Sequence, residues 1–346
     1  MKVVSNQLHS MRQQELLKKH TTLQVGGPAA YFTEVASEDY LEEMVAYAQQ
    51  ENISTVVLGS GSNILVADTG FDGLVLHMSI KGIDAVREDD RIRMTVGAGE
   101  VLDDVVAHAV TKGYWGLENL SHIPGTVGAA PVQNVGAYGV EVKDCIESVR
   151  VYNTDTLKFE VLNAQECLFG YRESIFKRKE GARYIVTSVT FILSVQSSPN
   201  ITYKDLEHRL SGTKPSLADI RNTVIAIREE KFPNWHEVGT AGSFFKNPVI
   251  SLAMFEKIKV QYPEIPGFAQ GEQKVKIPLG WVLDKVLHLK GEGTKTVGAY
   301  QGQALVLINK GDATADDFVC FAQGVMDVVK ETIDVDIQWE VTKVGF

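Results

Sequence analysis

Residues 123–139 have the sequence IPGTVGAAPVQNVGAYG, and this stretch carries the most information about the fold. It contains no charged side chain, and it belongs to a longer stretch, Gly113–Gly139, that has no clear period and predicts a long loop. Loops of this length inside a compact domain are usually functional. A flat, apolar ring system could lie against such a backbone, with amide groups hydrogen-bonded to its edge. The alternative is a glycine-rich connection that allows tight packing.

A second glycine-rich loop, Gly-Ser-Gly-Ser-Asn at residues 59–63, lies between two apolar runs that are typical of strands. Successive backbone N–H groups in such a loop can cradle a pyrophosphate. The loop is not a P-loop, because the Gly-Lys pair is absent, and it is not a Rossmann fingerprint, because Ile64 stands at the third glycine position. A tight turn between two strands is the alternative. Together the two loops favour a dinucleotide cofactor.

The composition is that of a globular protein. At roughly 100–200 residues per domain, 346 residues predict about two domains. The net charge of −10 disfavours general nucleic-acid binding, because phosphates need a basic surface. The three cysteines form no Cys-x-x-Cys pair, so we expect neither a disulfide framework nor a metal site. No run approaches the roughly 20 apolar residues of a membrane span, and the N-terminus does not resemble a signal peptide.

Local signals predict several element boundaries. The first part of the chain alternates helix and strand patterns, and a β hairpin is expected around residues 153–156. Two capping boxes, Ser216 with Asp219 and Thr314 with Asp317, predict the starts of two helices.

Four motifs occur in an order that resembles one enzyme family. They are LGSGSNILV at 58–66, the stretch 123–139, GYRES at 170–174 and AGSFFKNP at 241–248. The chain resembles the UDP-N-acetylenolpyruvoylglucosamine reductase family (MurB, or UDP-N-acetylmuramate dehydrogenase) from about His20 to the C-terminus. The resemblance implies an α+β protein. Its FAD-binding domain would have the PCMH/vanillyl-alcohol-oxidase-type fold of two lobes, and an α+β substrate-binding domain would follow.

The resemblance also implies a domain organisation. We expect an N-terminal segment, a FAD-binding domain of two lobes, a loop carrying a tyrosine, and a C-terminal domain whose last strand returns to the active site. The expected bounds are 1–19, 20–195 (lobes about 20–78 and 79–195), 196–215 and 216–346. The tyrosine loop marks the longer subtype of the family.

The cofactor implied by the resemblance is FAD, with NADPH as the reductant. Neither glycine-rich loop contains histidine or cysteine, the residues through which related flavoproteins attach the cofactor, so we expect non-covalent binding. The residues expected to bind FAD are Gly59, Ser60, Gly61, Ser62, Asn63, Gly125, Thr126, Gly128, Ala129, Asn134, Gly136, Ala137 and Tyr138.

Two residues match the family's catalytic serine and arginine. Ser243 would donate a proton to the carbon next to the one that receives hydride, which requires a hydroxyl held close to that carbon. Arg172 would bind the substrate carboxylate, where its guanidinium stabilises negative charge as it develops. The alternatives are a serine in a turn and an arginine in a surface ion pair.

Glu340 matches the family's catalytic glutamate. Residues 335–341 are expected to form the last strand, with Val335, Ile337, Trp339 and Val341 on one face and Glu340 on the other. A solvated strand face is therefore the alternative for Glu340. Two anions repel each other, so a glutamate beside a growing enolate is expected to be protonated or to act through water.

The remaining matches concern the nucleotide sugar. Tyr203 matches a tyrosine on the loop that closes over this substrate, and several basic or amide side chains match positions that hold the diphosphate or the sugar. A solvated helix end is the alternative for the basic residues. The residues expected to bind substrate are Tyr138, Tyr171, Tyr203, Arg228, Lys231, Asn247 and Gln303.

The sequence therefore predicts a cytoplasmic flavoenzyme of peptidoglycan synthesis, and so of cell-wall biogenesis, cell shape and division. It would reduce UDP-N-acetylglucosamine enolpyruvate to UDP-N-acetylmuramate. We expect a monomer with no metal, nucleic-acid or membrane partner. Two alternatives are a different flavin oxidoreductase of the same fold, such as an alcohol oxidase, and a non-catalytic protein that binds a nucleotide sugar.

Overall fold

The computed structural model describes residues 11–212 and 214–346, and the chain divides into two compact units. Each unit is built from separate stretches of sequence. Most of the expected segment 1–19, and one position of the expected tyrosine loop, lie outside the described residues. The expected domain bounds stay predictions. The described residues of the first unit are 11–15, 29–60, 72–212 and 214–228, and those of the second are 16–28, 61–71 and 229–346.

The first unit contains a four-stranded sheet in the order Arg12–Leu16, Pro28–Val35, Phe71–Met78 and Thr55–Leu58. Helix Glu38–Gln50 begins after Ser37, whose side chain accepts a hydrogen bond from a backbone N–H of the first turn. Leu41 and Met44 lie on the buried face of this helix, in one hydrophobic core with the apolar residues of the sheet. The glycine-rich loop 59–63 follows the last strand of this order, which runs parallel to its neighbour.

A five-stranded antiparallel sheet completes the core of the first unit. Its order is Lys158–Asn163, Ile146–Asn153, Tyr184–Ser194, Arg91–Gly97 and Ile83–Glu88. The expected hairpin is confirmed, because Asn153 pairs with Lys158 and the Asn153 side chain accepts the N–H of Asp155 at 3.0 Å within the turn. Helix Leu102–Lys112 buries Val105 in the same core.

Short elements interrupt the long loop and its surroundings. The two-residue strands Gly136–Ala137 and Val140–Glu141 pair with each other. The 3-10 turns of this unit are Glu118–Leu120, Val127–Ala129, Val142–Asp144, Ile175–Lys177 and Lys179–Gly181. The loop expected at 123–139 is therefore confirmed as a mainly irregular segment.

Two helices follow the sheet, Lys204–Leu210 and Leu217–Lys231. The first capping box is confirmed, because the Ser216 hydroxyl accepts the N–H of Asp219 at 3.2 Å and the Asp219 carboxylate accepts the N–H of Ser216 at 2.8 Å. The apolar face of the longer helix packs against Tyr138 and the shorter helix in a separate small cluster.

The second unit is built on a three-stranded antiparallel sheet, Thr240–Ser243, Val306–Asn309 and Val297–Ala299. A smaller antiparallel sheet has the order Val249–Ser251, Lys274–Lys276 and Phe268–Ala269. Strand Thr342–Val344 pairs in parallel with Ile64–Val66. The helices are Leu252–Gln261, Leu279–Trp281 with the π turn Val282–Val286, and Ala315–Ile333, and the 3-10 turn is Leu17–His20.

Helix Ala315–Ile333 has an N-terminus held by two separate parts of the chain. The predicted capping box is confirmed, because the Thr314 hydroxyl accepts the N–H of Asp317 at 3.1 Å and the Asp317 carboxylate accepts the N–H of Thr314. The Asp68 carboxylate also accepts the N–H groups of Ala315 at 2.8 Å and of the next residue at 3.1 Å. These bonds satisfy donors that a helix leaves unpaired at its start.

The expected last strand is wrong in its position. Residues 335–341 form no ladder, and within them only Trp339 makes a bridge, to Phe245. The strand begins at Thr342, because the parallel partner Ile64–Val66 is reached only there. The apolar alternation was correct for Val335 and Ile337, which are buried, but this alternation came from packing on the core and not from a sheet.

Mixed helix and strand content in both units confirms the α+β class. Within the described ranges, no helix combines the length and the apolar character needed to cross a bilayer.

Replacing Asp68 with alanine should lower the free energy of unfolding by about 1 kcal/mol, because two N–H groups of the helix start lose their acceptor. Urea unfolding followed by tryptophan fluorescence measures this change. The exposed Asp72→Ala is the control and should change stability by less than about 0.5 kcal/mol. Equal stability of Asp68→Ala and Asp72→Ala would contradict the capping role.

Candidate active site

In the first unit the two glycine-rich loops predicted separately from the sequence lie against each other. A Cβ atom on Gly59 would lie 2.5 Å from Oγ1 of Thr126, so a side chain at residue 59 would force Thr126 to move. The neighbouring Ser60 hydroxyl is shielded from solvent, and no group in the described part of the chain hydrogen-bonds to it. A buried hydroxyl without a partner is costly, and a phosphate oxygen would satisfy it. Ser60 therefore fits the pyrophosphate of a dinucleotide.

The loop 123–139 is also built against residues 97–100, a segment that the sequence analysis missed. The N–H of Gly128 donates to the Ala98 carbonyl at 2.8 Å, and a Cβ atom on Gly128 would lie 2.6 Å from the Ala98 Cβ. The N–H of Val127 donates to the Glu100 carbonyl, also at 2.8 Å. The Gly-Ala-Gly-Glu sequence directly after a predicted strand was the available signal for this close approach.

Arg172 lies at the tip of a tight turn. Gly170 and Glu173 exchange backbone hydrogen bonds of 2.9 and 3.2 Å, which leaves Tyr171 and Arg172 between them. Arg172 has the left-handed φ of 54°, a conformation that costs energy for a residue other than glycine. Its guanidinium donates to the Gly136 carbonyl at 3.1 Å. The turn thus places the predicted carboxylate ligand against the loop 123–139.

Asn134 joins this turn to the loop. It is fully buried, and its side-chain amide donates to the Gly170 carbonyl and to the Glu141 carboxylate, both at 2.9 Å. Its side-chain oxygen accepts the N–H of Lys143 at 3.2 Å. These three bonds of the Asn134 side chain are made within the protein, so it holds the turn at Arg172 against the loop 123–139. The expected contact of Asn134 with FAD stays a prediction.

Tyr138 and Arg228 form a buried polar pair. Tyr138 is 7% exposed, and burial raises the pKa of its phenol to about 12. Burial also lowers the pKa of the Arg228 guanidinium, while the hydrogen bond to Tyr138 opposes that change. Arg228 Nε donates to the His122 carbonyl at 2.8 Å. Tyr203, 39% exposed, packs edge-on against the Tyr138 ring at 5.1 Å. Three of the expected substrate residues are therefore together.

The ion pair between Asp103 and Arg221 holds His122, which is bonded to Arg228. The Asp103 carboxylate accepts two hydrogen bonds from Arg221, at 2.6 and 3.0 Å, and one from the N–H of His122. Burial alone would raise the pKa of Asp103, but the bonds from Arg221 and His122 hold it below its usual range. His122 is thus fixed by its N–H to Asp103 and by its carbonyl to Arg228.

In the second unit Ser243 and Glu340 lie on neighbouring segments. Ser243 ends strand Thr240–Ser243, directly after Gly242, whose φ is 72°. The N–H of Glu340 donates to the carbonyl of Phe244 at 2.9 Å, so the residue after Ser243 is bonded to Glu340. Glu340 is 9% exposed. The solvated strand face considered from the sequence is therefore wrong for this residue.

Asn63, the last residue of the glycine-rich loop 59–63 (the cofactor loop), is bonded to Glu340. The side-chain amide of Asn63 donates to the Glu340 carbonyl at 3.2 Å, and the Asn63 carbonyl accepts the N–H of Thr342 at 3.0 Å. These bonds fix the backbone that follows Glu340. The bond to the Glu340 carbonyl joins residues 277 positions apart, so no local pattern predicts it.

Asn247 and Gln303 have their side chains placed by the chain around them. The Asn247 side-chain oxygen accepts the N–H of Leu279 at 2.8 Å. A Cβ atom on Gly280 would lie 2.6 Å from Oε1 of Gln303, so Gly280 leaves the room that Gln303 occupies.

Lys231 ends its helix next to a close backbone contact. A Cβ atom on Gly302 would lie 2.8 Å from the carbonyl oxygen of Glu230, which brings the chain before Gln303 to the helix end that carries Lys231. Lys231, Asn247 and Gln303, three of the residues expected to hold the nucleotide sugar, are half-buried in the second unit.

Two family models match the chain. The model described as FAD binding domain matches residues 29–156, and the one described as UDP-N-acetylenolpyruvoylglucosamine reductase, C-terminal domain, matches residues 234–344. The UDP-N-acetylenolpyruvoylglucosamine reductase of Ralstonia nicotianae is 40% identical over 331 residues, covering 94% of this chain and 96% of that protein. The chain belongs to the UDP-N-acetylenolpyruvoylglucosamine reductase family. The resemblance found in the four motifs is confirmed.

Further members of the family agree over nearly the whole length. The Neisseria meningitidis serogroup A reductase is 40% identical over 329 residues, covering 94% of each protein. The Porphyromonas gingivalis reductase is 37% identical over 334 residues, covering 96% of this chain and 98% of that protein. The crystal structure of the reductase (MurB) from Thermus caldophilus matches with a TM-score of 0.67 and 26% identity, covering 96% of this chain and 99% of that one.

Membership of the reductase family confirms the predicted enzyme class and fold. The chain is an oxidoreductase with an FAD-binding domain, FAD is its cofactor, and NADPH is the reductant of the family. The buried, unpartnered Ser60 hydroxyl is the feature of this structure that fits FAD. Within residues 11–212 and 214–346, no three His, Cys, Asp or Glu side chains are grouped as metal ligands.

Ser60→Ala should weaken FAD binding about 10-fold, because a hydrogen bond to a charged phosphate is worth about 1.5 kcal/mol. Apoprotein prepared by acid treatment can be titrated with FAD and followed by flavin fluorescence. Ser54 is exposed and precedes strand Thr55–Leu58, which leads to the loop of Ser60. Ser54→Ala is the control and should bind FAD like the unaltered protein. An unchanged affinity of Ser60→Ala would contradict the role of Ser60. Flavin that stays with the acid-precipitated protein would contradict non-covalent binding.

The raised pKa of Tyr138 predicts a pH-dependent stability. The unfolded phenol ionises near pH 10 and the folded one near 12, so the contribution of Tyr138 is complete below about pH 10. It is lost as the pH rises to about 12, by about 2–3 kcal/mol. The free energy of unfolding of the unaltered protein, minus that of Tyr138→Phe, should therefore fall across this interval. A constant difference would contradict burial of the neutral phenol.

Proposed function

We propose that this reductase converts UDP-N-acetylglucosamine enolpyruvate to UDP-N-acetylmuramate in peptidoglycan synthesis. The substrate named for the relatives supports this proposal. The observation that carries it is the backbone bond between Glu340 and Phe244, which holds the matched glutamate beside the strand that presents Ser243. Bound FAD, after reduction by NADPH, would supply a hydride to the methylene carbon of the enolpyruvyl group.

Ser243 is proposed to donate the proton. Addition of hydride to one carbon of the double bond requires one proton at the neighbouring carbon, and a fixed hydroxyl supplies it without rearrangement. The surroundings of Ser243 support such a role, because Phe244 and Phe245 are completely buried and the N–H of Phe244 donates to the Leu305 carbonyl at 2.9 Å. The hydroxyl therefore sits on backbone that packing holds in place.

Arg172 is proposed to bind the substrate carboxylate. Negative charge grows at this group when hydride adds to the double bond, and a guanidinium already in position stabilises it. The turn between Gly170 and Glu173, braced by the buried Asn134, keeps the position of Arg172 without reorganisation.

Glu340 is proposed to act in its protonated form or through a water molecule. Glu340 is buried, and two anions repel each other, so a glutamate beside a growing enolate has to be neutral or to act through water. A neutral acid can donate a hydrogen bond to a growing enolate, whereas an anion would repel it. Asn63 supports the placement of Glu340 by its bond to the Glu340 carbonyl.

Tyrosine, basic and amide side chains are proposed to contact the nucleotide sugar. Tyr203 is the exposed member of the tyrosine pair, and it would close over the substrate while Tyr138 stays buried beneath it. Lys231, Asn247 and Gln303 would bind the diphosphate or the sugar. Tyr171 would contact the substrate beside Arg172. The proposed partners are this substrate and NADPH, without nucleic acid or membrane, and the protein is proposed to act as a monomer in the cytoplasm.

Ser243→Ala should slow reoxidation of the reduced flavin by substrate by several orders of magnitude, on the order of 10³-fold or more, since the proton donor is lost. Reduction of the flavin by NADPH should stay fast. Stopped-flow absorbance of the flavin measures both half-reactions in one experiment, and Ser54→Ala is the control. If both half-reactions of Ser243→Ala stay fast, Ser243 is not the acid. Rapid reoxidation by oxygen, with no response to the substrate, would instead indicate an oxidase.

A further inference from the structure

The segment before the first glycine pair, residues 20–22, packs directly on the cofactor loop. Gly61 has a φ of 62°, and a Cβ atom placed on it would lie 2.1 Å from the His20 carbonyl oxygen and 2.7 Å from the Thr21 Cα. Backbone therefore meets backbone here, and no side chain fits between them. Neither His20 nor its two neighbours were singled out by the sequence motifs.

Thr22 makes three hydrogen bonds, one to Gly61 and two to Thr240. Its N–H donates to the Gly61 carbonyl at 3.2 Å. Its hydroxyl donates to the Thr240 carbonyl at 2.6 Å, and its own carbonyl accepts the N–H of Thr240 at 2.9 Å. Thr22 is thus bonded to the cofactor loop on one side and to the start of the strand Thr240–Ser243 on the other.

Thr240 carries this constraint toward Ser243. It is 5% exposed, and its hydroxyl donates to the Leu307 carbonyl at 2.9 Å. The same oxygen accepts the N–H of Gly242 at 3.1 Å. The register of this strand with Val306–Asn309 shifts between Thr240 and Ser243, so the ladder alone does not determine where Ser243 points. The bonds at Thr240 and Gly242 therefore set the turn that presents the serine.

We propose that Thr22 is a positioning residue that couples the cofactor loop to Ser243 through Thr240. The proposal rests on the proposed function, because it concerns the proton donated by Ser243. Thr22 would act by holding the start of strand Thr240–Ser243 at a fixed distance from Gly61. The bond from Asn63 to Glu340 ties the same loop to the second matched catalytic residue. The segments that carry Ser243 and Glu340 are thus both held by hydrogen bonds that lead to the loop 59–63.

The role of the hydroxyl can be separated from that of the backbone. Thr22→Val keeps the shape and both backbone bonds but removes the donor to the Thr240 carbonyl. A misplacement of about 1 Å at a reacting group can cost about 100-fold in rate. Only the step that uses the Ser243 proton should respond, whereas flavin reduction by NADPH should not.

The experiment compares both half-reactions of the FAD-loaded protein by stopped flow. In Thr22→Val, reoxidation by UDP-N-acetylglucosamine enolpyruvate should slow about 10- to 100-fold, and its solvent deuterium isotope effect should increase. Reduction by NADPH should stay within about 2-fold. Thr22→Ser keeps the donor and should restore reoxidation to near the original rate. Thr21→Val is the matched control, because its hydroxyl donates only locally, to the Val25 carbonyl at 3.2 Å.

The possible outcomes are distinct. Equal slowing of both half-reactions in Thr22→Val, or the same loss in Thr22→Ser and Thr21→Val, means a general structural role and overturns the proposal. Unchanged reoxidation in Thr22→Val, with a working original protein, overturns it as well. Failure of the original protein to reoxidise with this substrate overturns the proposed function first. If Thr22→Val does not retain FAD, Thr22→Ala is measured instead, and its rates of reoxidation and reduction are compared in the same way.

Discussion

The close approach of Gly61 to the backbone of residues 20–22 is the constraint on which the second unit's catalytic arrangement depends. A side chain at Gly61 would overlap the His20 carbonyl, so the contact exists only with glycine. From this contact, Thr22 reaches the Ser243 strand, and Asn63 of the same loop reaches Glu340. One loop thereby holds the backbone of the two separate segments that carry Ser243 and Glu340.

Local chemistry allowed much of the fold to be predicted. The capping boxes, the hairpin after Asn153 and the loop 123–139 all depend on residues within a few positions of one another, so pattern is sufficient for them. The last strand was misplaced for a related reason. Alternating apolar residues indicate one buried face, but they do not tell whether a neighbouring strand or a packed core covers that face. Here the core covers residues 335–341, and the partner strand begins only beside Thr342.

The sequence named candidate site residues but not the contacts that hold them. Ser243, Arg172 and Glu340 were named through the family resemblance and their roles stay predictions, whereas the bonds that hold their segments join distant parts of the chain. The bond from Thr22 to Thr240 joins residues 218 positions apart, and the one from Asn63 to Glu340 spans 277. Asn134 illustrates the same limit, because its place in a glycine-rich loop suggested a cofactor contact while its side chain braces the Arg172 turn. Such roles depend on which segments meet, which no single motif contains.

The overall charge has little bearing on what this reductase binds. A net charge of −10 disfavours nucleic acid, yet FAD, NADPH and a nucleotide sugar are all anions. Recognition must therefore be local. Backbone groups and the Ser60 hydroxyl carry no charge, and Arg228 is 8% exposed and hydrogen-bonded to Tyr138, whose phenol stays neutral because burial raises its pKa. Asp103 accepts two hydrogen bonds from Arg221. In the proposed substrate site a neutral phenol would leave the charge of Arg228 available to a phosphate, whereas an ionised phenol would cancel it.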